Sequence, residues 1–490
     1  MDTNTKGISF KWISPFMKQC FVTAGVALNM LNHGTVISFP SALLPQLRET
    51  HFIEIDDSST SWIVSIVGFG LMTGVIIIPF IIKRYGRQLI NLTSAVLITL
   101  GWIIICLSKT TSTLIISRFI QGVANGFTAI IGPVLVGEYS STKNRGAFLA
   151  VMSASLFVGV SLAHATGSFL SWQKSSLICS IISFLDIIII IFSPESPIFL
   201  ARKEKYAKCK KVFHWLKGND EDEELIEILN SATTKHQHND RIEYNTDCLN
   251  RIIKIARKCV STLKRREFYK PIIIMLHLHA INLWCGATIY DALATDILHA
   301  IVGPNVNVSL IILCMDLLTL VTNVLSIFFI RKFKRKHVLI FSVSINIVSY
   351  LLIAGYSYLK TRRMLPFDCP IVGILLCNLH SASINAGCVS IPNIIAGEIF
   401  PFEYKGVGGM VCLLFFSVNL SITLNITPYL FTTIGLSGTY SVFALLVCYS
   451  LLISIIILPE TKDRTLLEIE NELRGKSIVR DNIELNVLVH

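Results

Sequence analysis

GEYSSTKNRG (Gly137–Gly146) and GEIFPFEYKG (Gly397–Gly406) are two copies of one pattern: Gly-Glu, six intervening residues, a basic residue, then Gly. Each copy lies between two long apolar segments. Two further pairs repeat at nearly the same offset. KRYGRQ (Lys83–Gln88) is echoed by RKFKRK (Arg331–Lys336), and PESP (Pro194–Pro197) by PETK (Pro459–Lys462). The offsets are 260, 248 and 265 residues, and the order is kept. One Glu…Arg pair is an ordinary solvated loop. Three ordered pairs point to two homologous halves carrying matching charged turns on one membrane face.

Composition agrees. Hydrophobic residues make up 52% of the 490 residues and charged ones only 15%, where a soluble domain carries about a quarter charged. The net charge of +11 sits in turns between apolar runs, as membrane orientation requires, so no nucleic-acid partner is expected. The 13 cysteines are scattered without a CxxC, which argues for neither a disulfide framework nor a metal site. The polar N-terminus is followed by no short apolar core with a small-residue cleavage site, so no cleaved signal peptide is expected.

A bilayer core takes about 20 apolar residues per helix. Twelve such runs lie near 18–40, 61–82, 89–108, 113–137, 146–170, 175–193, 271–295, 308–330, 337–359, 369–396, 405–430 and 438–458. The expected fold is an all-α membrane protein of twelve transmembrane helices in two six-helix bundles. The expected division is 1–194 for the first bundle, 195–268 for a polar linker of short amphipathic helices, 269–460 for the second bundle and 461–490 for a tail. Lys83, Arg84, Arg87, Lys143, Arg145 and the Arg331–Lys336 cluster fall in alternate turns, on the side of the linker and tail. The excess of Lys and Arg places that side, and both termini, in the cytoplasm. Lys360, Arg362 and Arg363 dissent. The sequon at Asn307 lies outside, close to a helix end.

The motifs RFIQGVANG (Arg118–Gly126), Pro133 before Glu138, Arg145-Gly146, PESP, GEIFP (Gly397–Pro401) and LPETKDRTLLEIE (Leu458–Glu470) resemble the sugar porter family of the major facilitator superfamily, in its insect facilitated trehalose/glucose transporter branch. The resemblance covers nearly the whole chain. It implies two bundles around a central cavity whose access alternates between the two membrane sides. At the family's sugar-binding positions stand Ser153 in the fifth helix, the run Asn282-Leu283-Trp284-Cys285-Gly286-Ala287-Thr288 in the seventh, Asn393 in the tenth and Asn419 in the eleventh. The family's charged cytoplasmic gate maps onto Lys83, Arg84, Arg87, Arg118, Glu138, Arg145, Glu195, Arg331, Glu398 and Lys405. Lys83 and Arg331 replace the family's acidic residue, which leaves Glu138, Glu195, Glu398 and Glu460 as the carboxylates expected at the gate. His33, in NHGTVIS, stands where proton-coupled relatives carry an Asp.

Polar groups in hydrocarbon are costly unless they face a bundle interior or a wet cavity. Helical spacing puts His279, Asn282 and Gly286 on one face, and Asn378, Ser381 and Asn385 on another. Asn419 and Thr423 supply a third set. Sugar hydroxyls both donate and accept, which suits amides and hydroxyls, and Trp284 and Tyr290 offer ring faces for stacking. Interhelical polar contacts are the competing reading of each residue taken alone.

The expected function is therefore facilitated diffusion of a mono- or disaccharide such as glucose or trehalose by alternating access, in the plasma membrane. The chain is expected to be a monomer without cofactor or metal, and not an enzyme, since it carries no P-loop, carboxylate pair or nucleophile–base motif. A sugar receptor that does not transport, a porter of another polyhydroxy solute and a proton symporter are the alternatives.

Overall fold

The computed structural model describes residues 14–219, 221–240, 265–303, 306–365, 370–401, 404–462, 464 and 466–474. The twelve expected membrane spans are all present. In the first half they are α1 (Pro15–Ser38) with α2 (Pro40–Thr50), α3 (Asp57–Tyr85), α4 (Arg87–Leu107), α5 (Thr111–Tyr139), α6 (Arg145–Phe169) and α7 (Trp172–Phe192). Three short helices follow: α8 (Pro197–Arg202), α9 (Tyr206–Lys217) and α10 (Asp222–Asp240). The second half runs α11 (Arg266–Trp284) with α12 (Ala287–Val302), α13 (Val308–Lys332), α14 (Arg335–Thr361), α15 (Pro370–Ser383) with a π turn (Ile384–Cys388) and α16 (Ser390–Glu398), α17 (Lys405–Thr433) and α18 (Gly435–Ile457). A short α19 (Leu466–Arg474) closes the described chain. Residues 241–264 of the expected linker and 475–490 of the tail lie outside the described residues.

The chain forms two compact units. The first takes residues 1–246 together with the stretches Asp291–Asp296 and Ser309–Asp316, and the second takes the remainder. The two borrowed stretches have specific anchors on the first unit. Ser41 meets the Thr295 hydroxyl at 3.1 Å, Arg48 pairs with Asp296 at 2.9 Å, and His164 bonds both Asp291 O and Asp316.

Helix starts in the first unit follow capping chemistry. Ser14, Asp56, Thr110 and Ser171 each accept a backbone N–H from the first turn of α1, α3, α5 and α7, satisfying donors that have no partner within the helix. α3 and α5 then approach through glycine. A Cβ at Gly122 would lie 2.3 Å from Val67 O, and one at Gly74 would lie 2.4 Å from Val123 O. Only hydrogen fits there, so Gly122 and Gly126 serve backbone contact between helices. Around this seam Val26, Ile78, Ile131, Leu135 and Met152 bury their side chains. α8, α9 and α10 share a smaller core of Leu200, Cys209, Phe213 and Leu225, so amphipathic faces fold the linker onto itself.

Candidate functional site

In the second unit the seventh span is broken. α11 ends at Trp284, Gly286 adopts φ +97°, and α12 starts at Ala287. A break frees backbone carbonyls, which must find donors inside a membrane. Tyr350 donates its hydroxyl to Trp284 O at 2.9 Å, and Asn346 donates Nδ2 to Cys285 O at 3.1 Å, both from α14. Asn346 also reaches Ser383 Oγ at 3.1 Å, and the Tyr350 ring lies 4.3 Å from that of His380. Glycine is required at 286 on two grounds. Its φ is positive, and a Cβ there would sit 2.5 Å from the Tyr350 hydroxyl.

This break corrects the helical-face expectation. Gly286 is not on one continuous face with His279 and Asn282, because the helix stops two residues before it. What gathers near the break is different. Trp284 Nε1 donates to Asn419 Oδ1 on α17 at 3.1 Å, and its ring meets Phe443 edge-on. His279 is buried against Phe416 with its Nδ1 unpartnered. The Thr423 hydroxyl, one turn along α17 from Asn419, is also buried without a partner. Asn282 is buried and Thr288 half-buried. Among the described residues neither side chain is engaged in a hydrogen bond.

Other candidates are placed differently. Asn385 spends its amide, accepting from Asn323 Nδ2 at 3.2 Å and donating to Ser381 O at 2.9 Å. Ser381 in turn meets the Thr319 hydroxyl. That face therefore binds α15 and its π turn to α13. Asn393 and, in the first unit, Ser153 are exposed.

The charged turns form two copies of one arrangement, each inside its own unit. In the first, Glu195 accepts the backbone N–H groups of Arg87 and Gln88 at 3.0 and 3.2 Å, capping α4, while Arg87 Nε lies 3.5 Å from Glu138. In the second, Glu460 accepts the N–H groups of Arg335 and Lys336 at 3.1 and 3.2 Å, capping α14, while Arg335 pairs with Glu398. The residues preceding both helices, Gly86 and Lys334, provide no side-chain cap. A carboxylate from the end of each bundle replaces it, where the helix dipole also favours negative charge. Glu460 is among the carboxylates expected at the gate, whereas Arg335 is not, although the repeat points to it: Arg335 lies 248 residues after Arg87.

The remaining gate residues divide. Lys83 and Arg84 are exposed, Arg84 stacking on Tyr85. Arg145 lies 3.7 Å from Glu224 of the linker, which also pairs with Lys217 at 2.6 Å. Beside them, burial raises the Glu221 carboxyl above its ordinary value, with Lys217 opposing. The side chains of Arg331 and Lys405 lie outside the described ones. Arg118 is a correction. α5 is continuous from Thr111 to Tyr139, so the twenty residues separating Arg118 from Glu138 carry it about 30 Å along the axis, away from the charged turns. There it is buried and donates to the carbonyls of Val36 and Ile63 and to Gln121.

His33 is buried, with Nδ1 unpartnered and no ion pair among the described residues. The dissenting turn also has an explanation. Lys360 donates to Ile301 O and Val302 O at 3.1 and 3.3 Å, capping the end of α12, where a cation is favoured. Among the described residues no group of three His, Cys, Asp or Glu side chains is arranged to hold a metal.

Twelve membrane spans among the described residues, with a repeated charged turn and a broken, polar seventh span, define a multi-pass transporter of the major facilitator fold. The chain belongs to the sugar (and other) transporter family, whose model matches residues 18–473. It is 24% identical over 467 residues to the facilitated trehalose transporter Tret1 of Apis mellifera ligustica, covering 94% of this chain and 89% of the relative. It is 23% identical over 475 residues to the facilitated glucose transporter member 8 of solute carrier family 2 from Mus musculus, covering 92% and 93%. Its structure is similar to that of the xylose transporter XylE from E. coli in an inward open conformation, with a TM-score of 0.73 at 16% identity, covering 94% of this chain and 100% of that one.

Proposed function

We propose that this chain moves a neutral sugar of the glucose or trehalose type across the plasma membrane by facilitated diffusion, alternating its access between the two sides, with both termini cytoplasmic. The observation that carries the reading is the set of polar groups beside the broken seventh span. Asn282, Thr288, His279 and Thr423 retain hydrogen-bonding capacity, and Trp284 stands among them, held by Asn419. A neutral amide-and-hydroxyl surface with an aromatic face suits a polyhydroxy ring and offers no charge to an ionic solute. The family and the relatives, trehalose and glucose transporters by name, support the solute class.

Uniport is favoured because the first-helix position that holds Asp in proton-coupled relatives is His33, and Arg118 bonds backbone carbonyls. The charged clusters stabilise the ends of their own bundles. The orientation rests on the basic turns, once Lys360 is understood as a helix cap. Asn282→Ala tests the site. The substitution should weaken sugar uptake by about 1–3 kcal/mol at normal expression, whereas wild-type affinity would remove Asn282 from it.

A further inference from the structure

His164, Asp316 and Asp291 form a polar cluster that the sugar site does not use. His164 lies on α6, its side chain 1% exposed, and its Nδ1 is 2.9 Å from Asp316 Oδ2, that side chain being 9% exposed. Its Nε2 is 2.9 Å from the backbone carbonyl of Asp291. A carbonyl only accepts, so Nε2 must carry a hydrogen. The hydrogen bond to Asp316 then requires exactly one more proton, either on Nδ1 as imidazolium facing carboxylate or on Asp316 as carboxylic acid facing the Nδ1 lone pair. With that proton gone, a lone pair faces a carboxylate and the contact becomes repulsive.

We propose that His164 and Asp316 form a binding site for a single proton, and that this proton holds the stretches 291–296 and 309–316 on the first unit. The two hydrogen bonds between Ser41 and Thr295 and the Arg48–Asp296 pair also hold the first stretch, and the side chains of that pair are 45% and 30% exposed, where an ion pair is worth little. The groups facing the imidazole are the carboxylates of Asp316 and Asp291. The other charged or titratable groups on the helices packed against α6 are engaged or set elsewhere. Arg48 binds Asp296, Arg118 binds carbonyls, Asp186 lies against Gly25 of α1, and Glu49 and Lys174 are exposed. Among the described residues His33 makes no ion pair, and Lys18 and Glu138 lie near the opposite ends of α1 and α5. Ionisable residues inside a membrane commonly mark proton sites. Here the proton is a tether, not a co-transported ion, so sugar flux depends on pH without carrying protons.

The functional half of this proposal rests on the transport reading, but the proton site can be tested without it. Asp316→Asn is the informative variant, because its amide donates to Nδ1 at every pH and preserves the contact while removing the titration. pH-difference infrared spectra of the purified protein in nanodiscs should show a carboxyl–imidazole titration in the wild type that is lost in both Asp316→Asn and His164→Asn. The same titration in all three proteins would overturn the site. In proteoliposomes, wild-type uptake should fall as the buffer turns alkaline while Asp316→Asn stays flat. A parallel fall in both would overturn the tether. If no sugar is moved at all, the transport reading fails while the spectra still decide the proton site.

Discussion

Tyr350→Phe tests the broken span most sharply. The change deletes one oxygen and leaves the ring, which packs against His380, Tyr440 and Phe443. What is lost is the 2.9 Å donation to Trp284 O. That carbonyl belongs to the residue whose indole is held by Asn419, so the break and the proposed sugar-stacking ring are one mechanical element. A buried acceptor left without its donor costs about 1–3 kcal/mol. Carried wholly by the arrangement competent for sugar, the cost lowers affinity by about 5- to 150-fold. Asn346 still holds Cys285 O, so the break should loosen and not collapse, placing the effect at the lower end. The assay is sugar affinity by equilibrium binding to the purified protein, with a thermal melt run alongside. A lower melting temperature together with weaker binding is expected. Unchanged melting and unchanged affinity would refute the idea that α14 maintains the break.

Three more predictions follow from other parts of the molecule. Glu195→Gln and Glu460→Gln each replace a carboxylate that caps two backbone N–H groups, and each should destabilise the protein by a similar amount, about 1–3 kcal/mol, read as similar drops in melting temperature; destabilisation by one alone would break the claimed equivalence of the two clusters. Gly122→Ala introduces a Cβ about where Val67 O already sits, 2.3 Å away, and should cost about 1–3 kcal/mol by forcing α3 and α5 apart; wild-type stability on melting would contradict the close approach. Sugar flux should carry no protons into vesicles loaded with a pH dye, and His33→Ala should leave that result unchanged. Acidification with sugar that vanishes in the variant would make His33 a coupling site.

The twelve spans were legible because a bilayer imposes a length on every helix, and each apolar run announced one. The charged clusters were half legible. Arg87, Glu138, Glu195 and Glu398 stood in recognisable motifs, while the basic run Arg331–Lys336 hid which of its residues had a structural partner. The structure assigns that role to Arg335, with Lys336 bonding the carbonyls of Ile455 and Leu458 at the end of α18. The break at Trp284–Gly286 left no trace in hydropathy, since residues on both sides are apolar and a glycine is equally at home in tight helix packing. Arg118 was misplaced although its position was legible: the span near 113–137 puts it at the end opposite Glu138. The His164–Asp316 contact joins residues 152 apart, and nothing local to either one signals the other.

The central claim is transport of sugar down its gradient, and uptake of radiolabelled glucose and trehalose into proteoliposomes tests it most directly. The account predicts saturable uptake of at least one of them that stops when inside and outside concentrations are equal, without ATP or an imposed proton gradient, and that is reduced in Asn282→Ala. Binding of sugar by the reconstituted protein with no entry into the lumen would contradict it and make the chain a receptor.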